Sequence, residues 1–280
     1  MIPEILDIVR SMKPISLAEM KDVRLMNRVD TKYLVTSNEL LAILNGIHEH
    51  YYAQEVEGNR LSPYSTVYYD TPDLKMYILH HDRHLVRDKV RVRTYVDSHL
   101  TFCEVKHKTN KGRTKKKRIE LKTENGKWKT VNKLSDLDEE LSAADFQLPY
   151  PSDTLNASLE TAFDRITLVN DEKTERLTID CNLMFNNFVS NTTASMDPLV
   201  VMELKQDGRA RSLLKEVLLD LRVKPYKISK YCIGTAMTRP EVKQNRFKKK
   251  IRKINKMKSL PIEHPYGMQM VRGNNYSTEL

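Results

Sequence analysis

Residues 87–95, RDKVRVRTY, place Arg87, Lys89, Arg91 and Arg93 at every second position, with Val90 and Val92 between them. Successive side chains of a β-strand point to opposite faces, so as a strand this segment has one cationic face and one apolar face. The same parity recurs along the chain. VMELKQD sets Glu203 and Lys205 against Met202 and Leu204, and FCEVKHK sets Glu104, Lys106 and Lys108 against Cys103 and Val105. RVDTKYLV groups Arg28, Asp30 and Lys32, KKKRIEL sets Lys116, Arg118 and Glu120 against Ile119 and Leu121, ERLTID groups Arg176 and Asp180, and FDRITLV adds Arg165. One such strand is what an antiparallel sheet with a wet face produces. A solvent face, however, mixes in Thr, Ser and Gln and does not recruit Arg and Lys on almost every strand. Three strands also repeat an acid-x-Lys pair: Asp30/Lys32, Glu104/Lys106 and Glu203/Lys205.

Strand-like alternation marks residues 28–35, 64–69, 87–96, 100–108, 114–122, 164–169, 175–181 and 199–205. Polar turns, TNKGR and NDEKT, separate neighbours that should pair as antiparallel hairpins. Helices interrupt the strands. Thr36 with Glu39 forms a capping box before a helix over 36–49, and Thr71 with Pro72 predicts an N-cap and first helical residue before KMYILHH. Residues 133–146 read as an acidic surface helix, and 209–221 as a helix with Leu213, Leu214, Val217 and Leu221 inward. About eight hairpin-connected strands imply an α+β protein with a closed antiparallel barrel or strongly curved sheet, flanked by helices. If the charged faces point inward they line a tunnel too polar to collapse as a dry core. A chain of phosphates satisfies Arg and Lys there, and the carboxylates suit Mg²⁺ or Mn²⁺ bridging phosphate oxygens.

The 280 residues fit one large domain, taken as residues 1–238, followed by a basic tail over 239–280. Of the net charge of +10, residues 241–258 supply +8, with nine Lys/Arg against one Glu. The tail reads as a solvated helix or appendage, with attraction to an anionic membrane surface or nucleic acid as alternatives. No apolar run reaches the roughly 20 residues that span a bilayer, and the N-terminus lacks a signal-peptide layout. A cytoplasmic protein is expected, with association with the inner face of a membrane as the alternative. Cys103, Cys181 and Cys232 stand apart, each among apolar neighbours, as reduced core residues.

The set RVDTKYLV, TVYYDTP, HHDRHLVRDKVRVRTY, EVKHKTNKGRTKKKRIEL, FDRITLVN, ERLTID, MELK and PYKISKY, in that order, resembles the catalytic domain of the VTC (vacuolar transporter chaperone) family. That family belongs to the triphosphate tunnel metalloenzymes, or CYTH superfamily, and the resemblance spans roughly residues 20–238. It implies an eight-stranded antiparallel tunnel that binds ATP and extends inorganic polyphosphate or pyrophosphate with Mn²⁺ or Mg²⁺. By the same resemblance Lys32, Arg91, Arg93, Lys106, Arg165, Lys227 and Lys230 carry catalysis, and Glu203 binds the metal. Arg28, Arg83, Arg87, Lys89, Lys116, Arg118, Arg176 and Lys205 are expected to bind substrate; the cation before the R-x-R strand is open between Arg83 and Arg87, with Arg83 favoured for the family role. The chemistry needs no Ser-His-Asp or Cys-His set. His80, His81 and His84 read as a helix-to-strand surface turn with a metal role as the alternative, Tyr33, Tyr68, Tyr69 and Tyr95 as packing or nucleotide contacts, and Asp70 equally as a ligand contact or a turn residue.

Two departures bear on activity. Triphosphatases of the superfamily open with E-x-E-x-K, whereas this chain has Arg28-x-Asp30-x-Lys32, which disfavours two-metal hydrolysis. The transmembrane segment of fungal relatives has no counterpart, so export of product would need a separate membrane protein. The expected function is a polyphosphate polymerase, a phosphotransferase. The alternatives are a tunnel-type triphosphatase or a non-catalytic polyphosphate-binding module; a nucleic-acid partner is not expected.

Overall fold

Period-two alternation becomes strands wherever one face can be buried, and eight strands carry the architecture. The computed structural model describes residues 2–23, 28–123, 130–208 and 211–260, with residues 21, 22, 28 and 207 described by backbone alone. The strands are β1 (Lys13–Ser16), β2 (Arg28–Val35), β3 (Tyr51–Glu55), β4 (Ser62–Asp70), β5 (Arg87–Tyr95), β6 (Leu100–Lys108), β7 (Thr114–Leu121), β8 (Asn156–Asn170), β9 (Glu175–Asn187), β10 (Thr193–Ser195) and β11 (Val200–Asp207). The helices are α1 (Pro3–Ser11), α2 (Ser37–Ile47), α3 (Lys75–His81), α4 (Asp138–Ala143), α5 (Leu213–Asp220), α6 (Lys230–Thr238) and α7 (Asn245–Lys258). Hydrogen bonding links the main sheet in the order β2-β11-β9-β8-β4-β5-β6-β7, antiparallel throughout. The expected eight-stranded antiparallel architecture is present as a curled half-barrel, flanked among the described residues by seven helices. The short strands β1 and β3 pair in parallel beside β8, and β10 pairs with β9.

The outer face of the curl is apolar. Val35, Ile166, Leu168, Leu177, Ile179, Met202 and Leu204 pack under α1, α2 and α5, while Val67, Val90, Val92, Cys103 and Val105 pack under Leu134, Leu137 and Leu141. The capping box predicted at Thr36 forms, with Glu39 returning a bond to the Thr36 amide at 2.7 Å. Helix α3 begins later than predicted, at Lys75. The carboxylate of Asp70 accepts bonds from the amides of Thr71, Met76 and Tyr77, so the chain turns through Leu74 at φ 56° before the helix starts. Asp70 thus caps from outside the helix. The predicted helix over 209–221 shortens to α5 with Ser212 as its N-cap, and Leu221, expected inward, is 40% exposed.

Helix α6 is the one that enters the concave side. Its Tyr231, Cys232, Ile233 and Ala236 are buried against Tyr68, Leu159, Phe163, Leu183 and Phe185. These last residues share the inner face with the cations because β9 is irregular: its register against β8 slips between Ala162 and Asp164, opposite Asn182 at φ 52°. Before the slip Arg176, Thr178 and Asp180 point inward; after it Leu183, Phe185 and Asn187 do. One end of the concave face is therefore polar and the other is filled by α6. The basic segment past residue 240 supplies α7, whose Phe247 and Ile254 are buried in the same inner cluster, while the stretch 261–280 lies outside the described residues.

Candidate functional site

Directly opposed residues of an antiparallel pair share a face, so the register decides which charges meet. Lys32 lies opposite Glu203 and Glu203 opposite Thr178; Lys205 lies opposite Arg176. Arg165 lies opposite Asp180 on one side and Ser62 on the other. Tyr68 faces Arg91, Arg91 faces Glu104, and Glu104 faces Arg118; Lys89, Lys106 and Lys116 form the next row. Every strand of the main sheet thus turns its polar set to the concave side.

Two of the three central carboxylates are clamped. Glu104, fully buried, takes Arg91 Nε at 2.6 Å and Nη2 at 2.5 Å and also pairs with Lys116. Asp180 takes Arg165 bidentately, Nε at 2.6 Å and Nη2 at 2.8 Å, and also pairs with Lys230. Burial pushes both acids up, but the neighbouring cations outweigh it: Glu104 ends at about 2, and Asp180 lies well below the usual range. The third, Glu203, stands 3.7 Å from both Lys32 and Lys205, too far for a hydrogen bond to either. Burial opposes its ionisation, yet Lys32, Lys205, Lys106 and Arg165 hold it at about 2.

Between these anchors, three cations have no carboxylate within ion-pair distance among the described residues. Arg93 donates to Thr66 Oγ1 at 3.1 Å, Lys89 donates to Ser229 Oγ at 2.9 Å, and Lys106 has the charges of Arg91 and Arg93 for neighbours. The Arg91 charge, burial and the Arg93 charge together press the Lys106 ammonium down to about 5. Burial also lowers Lys89 and Arg93, and takes Lys230 to about 7 despite Asp180. A row of like charges withdrawn this far from water is unfavourable until an anion fills it.

Aromatic rings flank this row. Phe163 lies under Lys230 at 3.6 Å and under Arg165 at 5.2 Å, while Tyr64 meets Arg165 at 4.9 Å and Arg93 at 5.7 Å. Beyond them a cavity of about 390 Å³ opens, bordered by Tyr64, Tyr95, Phe102, Arg118, Arg165 and Lys205. Planar apolar rings beside guanidinium groups suit a heteroaromatic ligand that carries phosphates.

The sequence-derived residues divide by position. Lys32, Lys89, Arg91, Arg93, Lys106, Lys116, Arg165, Glu203, Lys205 and Lys230 come together on the concave face. Arg118, exposed, rests 4.6 Å over Phe102 at the cavity, where Arg176 also lies with an Nη2 bond to Met20 O at 3.2 Å. Arg87 and Lys227 stand at the opposite end, around Lys108, and Arg83 is exposed at φ 64° in the turn after α3. Arg28 opens β2, and its side chain lies outside the described residues. Sequence reading did not single out Ser229, Tyr64 or Phe163. The spacing Phe163-x-Arg165 does carry the signal, since both must share a face. His81 is buried, bonded to Asp82 at 2.7 Å, and packs in the wall.

Among the described residues no three His, Cys, Asp or Glu side chains gather as a metal-binding cluster. Of the three central carboxylates, Glu203 is the one with no hydrogen-bonded cation among the described residues, which leaves it able to serve a hard cation as one ligand among several. Mg²⁺ and Mn²⁺ are commonly held by one or two carboxylates with phosphate oxygens completing the shell, so the donor set fits a metal that arrives with phosphate.

The family model of the VTC domain matches residues 27–239. A search of curated proteins finds no match. Solved structures with a similar path include a conserved hypothetical protein from Pyrococcus furiosus, 13% identical over 73% of this chain and 99% of that one, with a TM-score of 0.40. A Hippeastrum protein described as an adenylyl cyclase candidate with a dominant triphosphatase activity is 11% identical over 75% of this chain and 96% of that one, with a TM-score of 0.44. A protein from Pyrococcus horikoshii OT3 is 9% identical over 73% and 98%, with a TM-score of 0.37.

Proposed function

The chain belongs to the VTC domain family, and from that premise we propose that it is a metal-dependent polyphosphate polymerase, moving the terminal phosphoryl group of ATP onto inorganic polyphosphate. The observation that carries this reading is the inward-facing row of buried Arg93 with half-buried Lys89 and Lys106, which lacks carboxylate partners among the described residues and continues through Arg91 and Arg165. A polyanion of closely spaced phosphates satisfies such a row along its length.

In the proposed reaction a terminal phosphate oxygen of the acceptor chain forms a bond to the γ-phosphorus of ATP. The bond from that phosphorus to the β–γ bridging oxygen breaks, and its electron pair leaves with ADP. No covalent enzyme intermediate and no added base is needed, because the acceptor oxygen is already deprotonated near neutral pH. Arg91 and Arg93 would hold the non-bridging oxygens in line, with Glu104 fixing the Arg91 guanidinium from behind. Arg165 and Lys230, steadied by Asp180, would offset charge gathering on the leaving group. A divalent ion on Glu203, when bound with substrate, supplies further charge neutralisation. The aromatic cavity would receive the adenine.

A triphosphatase is the second reading. Hydrolysis by two metals needs several free inward acids, and Glu104 and Asp180 are already committed to cations. The test is incubation of purified protein with ATP and Mn²⁺ or Mg²⁺, with products resolved on a gel. Long polymer from the wild type, reduced about a hundredfold or more in Arg93→Ala and Glu203→Ala, supports the polymerase. Free phosphate without polymer overturns it in favour of hydrolysis, and tight polyphosphate binding without turnover leaves a binding module. None of the described helices is long and apolar enough to cross a membrane.

A further inference from the structure

Helix α7 lies beyond the residues matched by the family model and carries no acidic residue. Its cations are not equivalent. Arg246, Lys250 and Lys253 recur at i, i+4 and i+7 and share one side, whereas Lys248 and Arg252 lie on another. The first set faces the body: Lys250 Nζ donates to the Lys227 carbonyl, and Lys250 and Lys253 sit 5.8 and 4.6 Å from the Tyr226 ring. Tyr226 in turn donates its amide to the Lys32 carbonyl at 2.6 Å, which fixes this segment along the free edge of β2.

From that edge the cations continue inward without a break. Burial and then the charges of Arg87 and Lys227 lower Lys108, and Arg87 is the register partner of Lys108. The next inward pair is Lys89 with Lys106, already described on the concave face. Outward, burial and then the charges of Arg83 and Lys227 lower Lys250. The acids at this end are occupied, Asp82 by Lys243 and Asp88 by His107. A row of like charges therefore runs from the concave-face row to the Lys250/Lys253 side of α7, the helical part adding about 10 Å at the α-helical rise.

We propose that the Lys250/Lys253 side of α7 is a second phosphate-binding site, a track for the part of an inorganic polyphosphate chain that has passed out of the concave face. The proposal rests on the polyphosphate reading of that face. A short chain is contained within the concave face and never reaches the track; a long one touches both. The track therefore makes affinity depend on chain length, and it retains a growing chain between additions.

The test measures binding of tripolyphosphate and of a chain of roughly a hundred phosphates, in the absence of ATP, to three variants with unchanged thermal unfolding. Lys250→Gln/Lys253→Gln is expected to weaken the long chain roughly three- to tenfold and leave tripolyphosphate unaffected, since each exposed charge contact is worth up to about 1 kcal/mol. Lys248→Gln/Arg252→Gln, which removes the same charge from another side, is expected to change neither. Lys250→Arg/Lys253→Arg is expected to behave as wild type. Equal losses in both Gln double variants reduce the effect to overall charge and overturn the track, as does an equal loss for both probes. A matching loss for a single-stranded oligonucleotide would assign the side to nucleic acid and also overturn it. Failure of the wild type to bind either phosphate probe overturns the reading of the concave face as well; binding without polymer synthesis overturns only the polymerase.

Discussion

Lys106 shows how a single residue reports on the whole cavity. Arg91, burial and Arg93 lower it to about 5, with Glu203 and Glu104 only partly offsetting them, so near pH 7 the free protein holds it mostly neutral. A bound phosphate chain reverses that balance and raises its pKa, so binding takes up a proton. The sign follows: affinity falls as pH rises above about 5 and through the window up to the pKa in the complex. Calorimetry in buffers of different ionisation heat is expected to show net proton uptake at pH 7, smaller in Lys106→Gln; equal uptake by the two proteins would refute the assignment. Glu104 and Glu203 act in the opposite direction. Both are held at about 2, so what they contribute to stability is complete above the ordinary glutamate range and is lost only as pH falls towards that value. At this scale the sequence was informative about cations and poor on acids. Parity put Lys32, Arg91, Lys106 and Glu203 on inward faces, but nothing in spacing told Glu104 and Asp180, each clamped by two cations, from Glu203, which keeps its distance.

Among elements, α6 is the piece that sequence patterns concealed. KYCIGTAMT is buried on nearly every side, so it lacks the one-sided apolar stripe by which α2 could be recognised. Its close seating depends on Gly234. A Cβ there would stand 2.5 Å from Phe185 Cδ1 and 2.6 Å from Leu159 Cδ2, so Gly234→Ala must push the helix off the sheet. The expected cost is about 1–3 kcal/mol, read as a lowered Tm. Because Ser229 and Lys230 open this helix, their bonds to Lys89 and Asp180 should loosen with it, and phosphate binding is expected to weaken alongside stability. The strands behaved differently. All eight members of the main sheet were visible as alternation, whereas β1, β3 and β10, three to five residues long, are too short for a period to register.

For the molecule as a whole, the outer apolar face forms a conventional core and leaves the concave side free to be charged. The basic α7 takes part in this division, since Phe247 and Ile254 are buried in the inner cluster with α6 and α3. Truncation before residue 245 uncovers that cluster and is expected to lower the Tm, each lost apolar side chain being worth about 1.5–3 kcal/mol. An unchanged melting curve would show that α7 is dispensable for the body. The charge of this segment was plain in the sequence. Its docking was not, because its four apolar residues, Phe247, Ile251, Ile254 and Met257, make only a narrow stripe among eight cations and do not identify the surface they meet.

The slip in β9 has a further meaning. Up to Asp180 the even-numbered residues look inward, and from Leu183 the odd-numbered ones do, with Asn182 as the extra residue between. The strand is thus written in two reading frames. Without the bulge, and with every letter of the chain unchanged, the strand would keep a single frame throughout, turning Leu183 and Phe185 outward and Asn182, Met184 and Asn186 inward. What lines half of the interior is thus decided by where one backbone slip falls, and deleting Asn182 together with the slip would leave Leu183 and Phe185 facing inward in an unbroken frame.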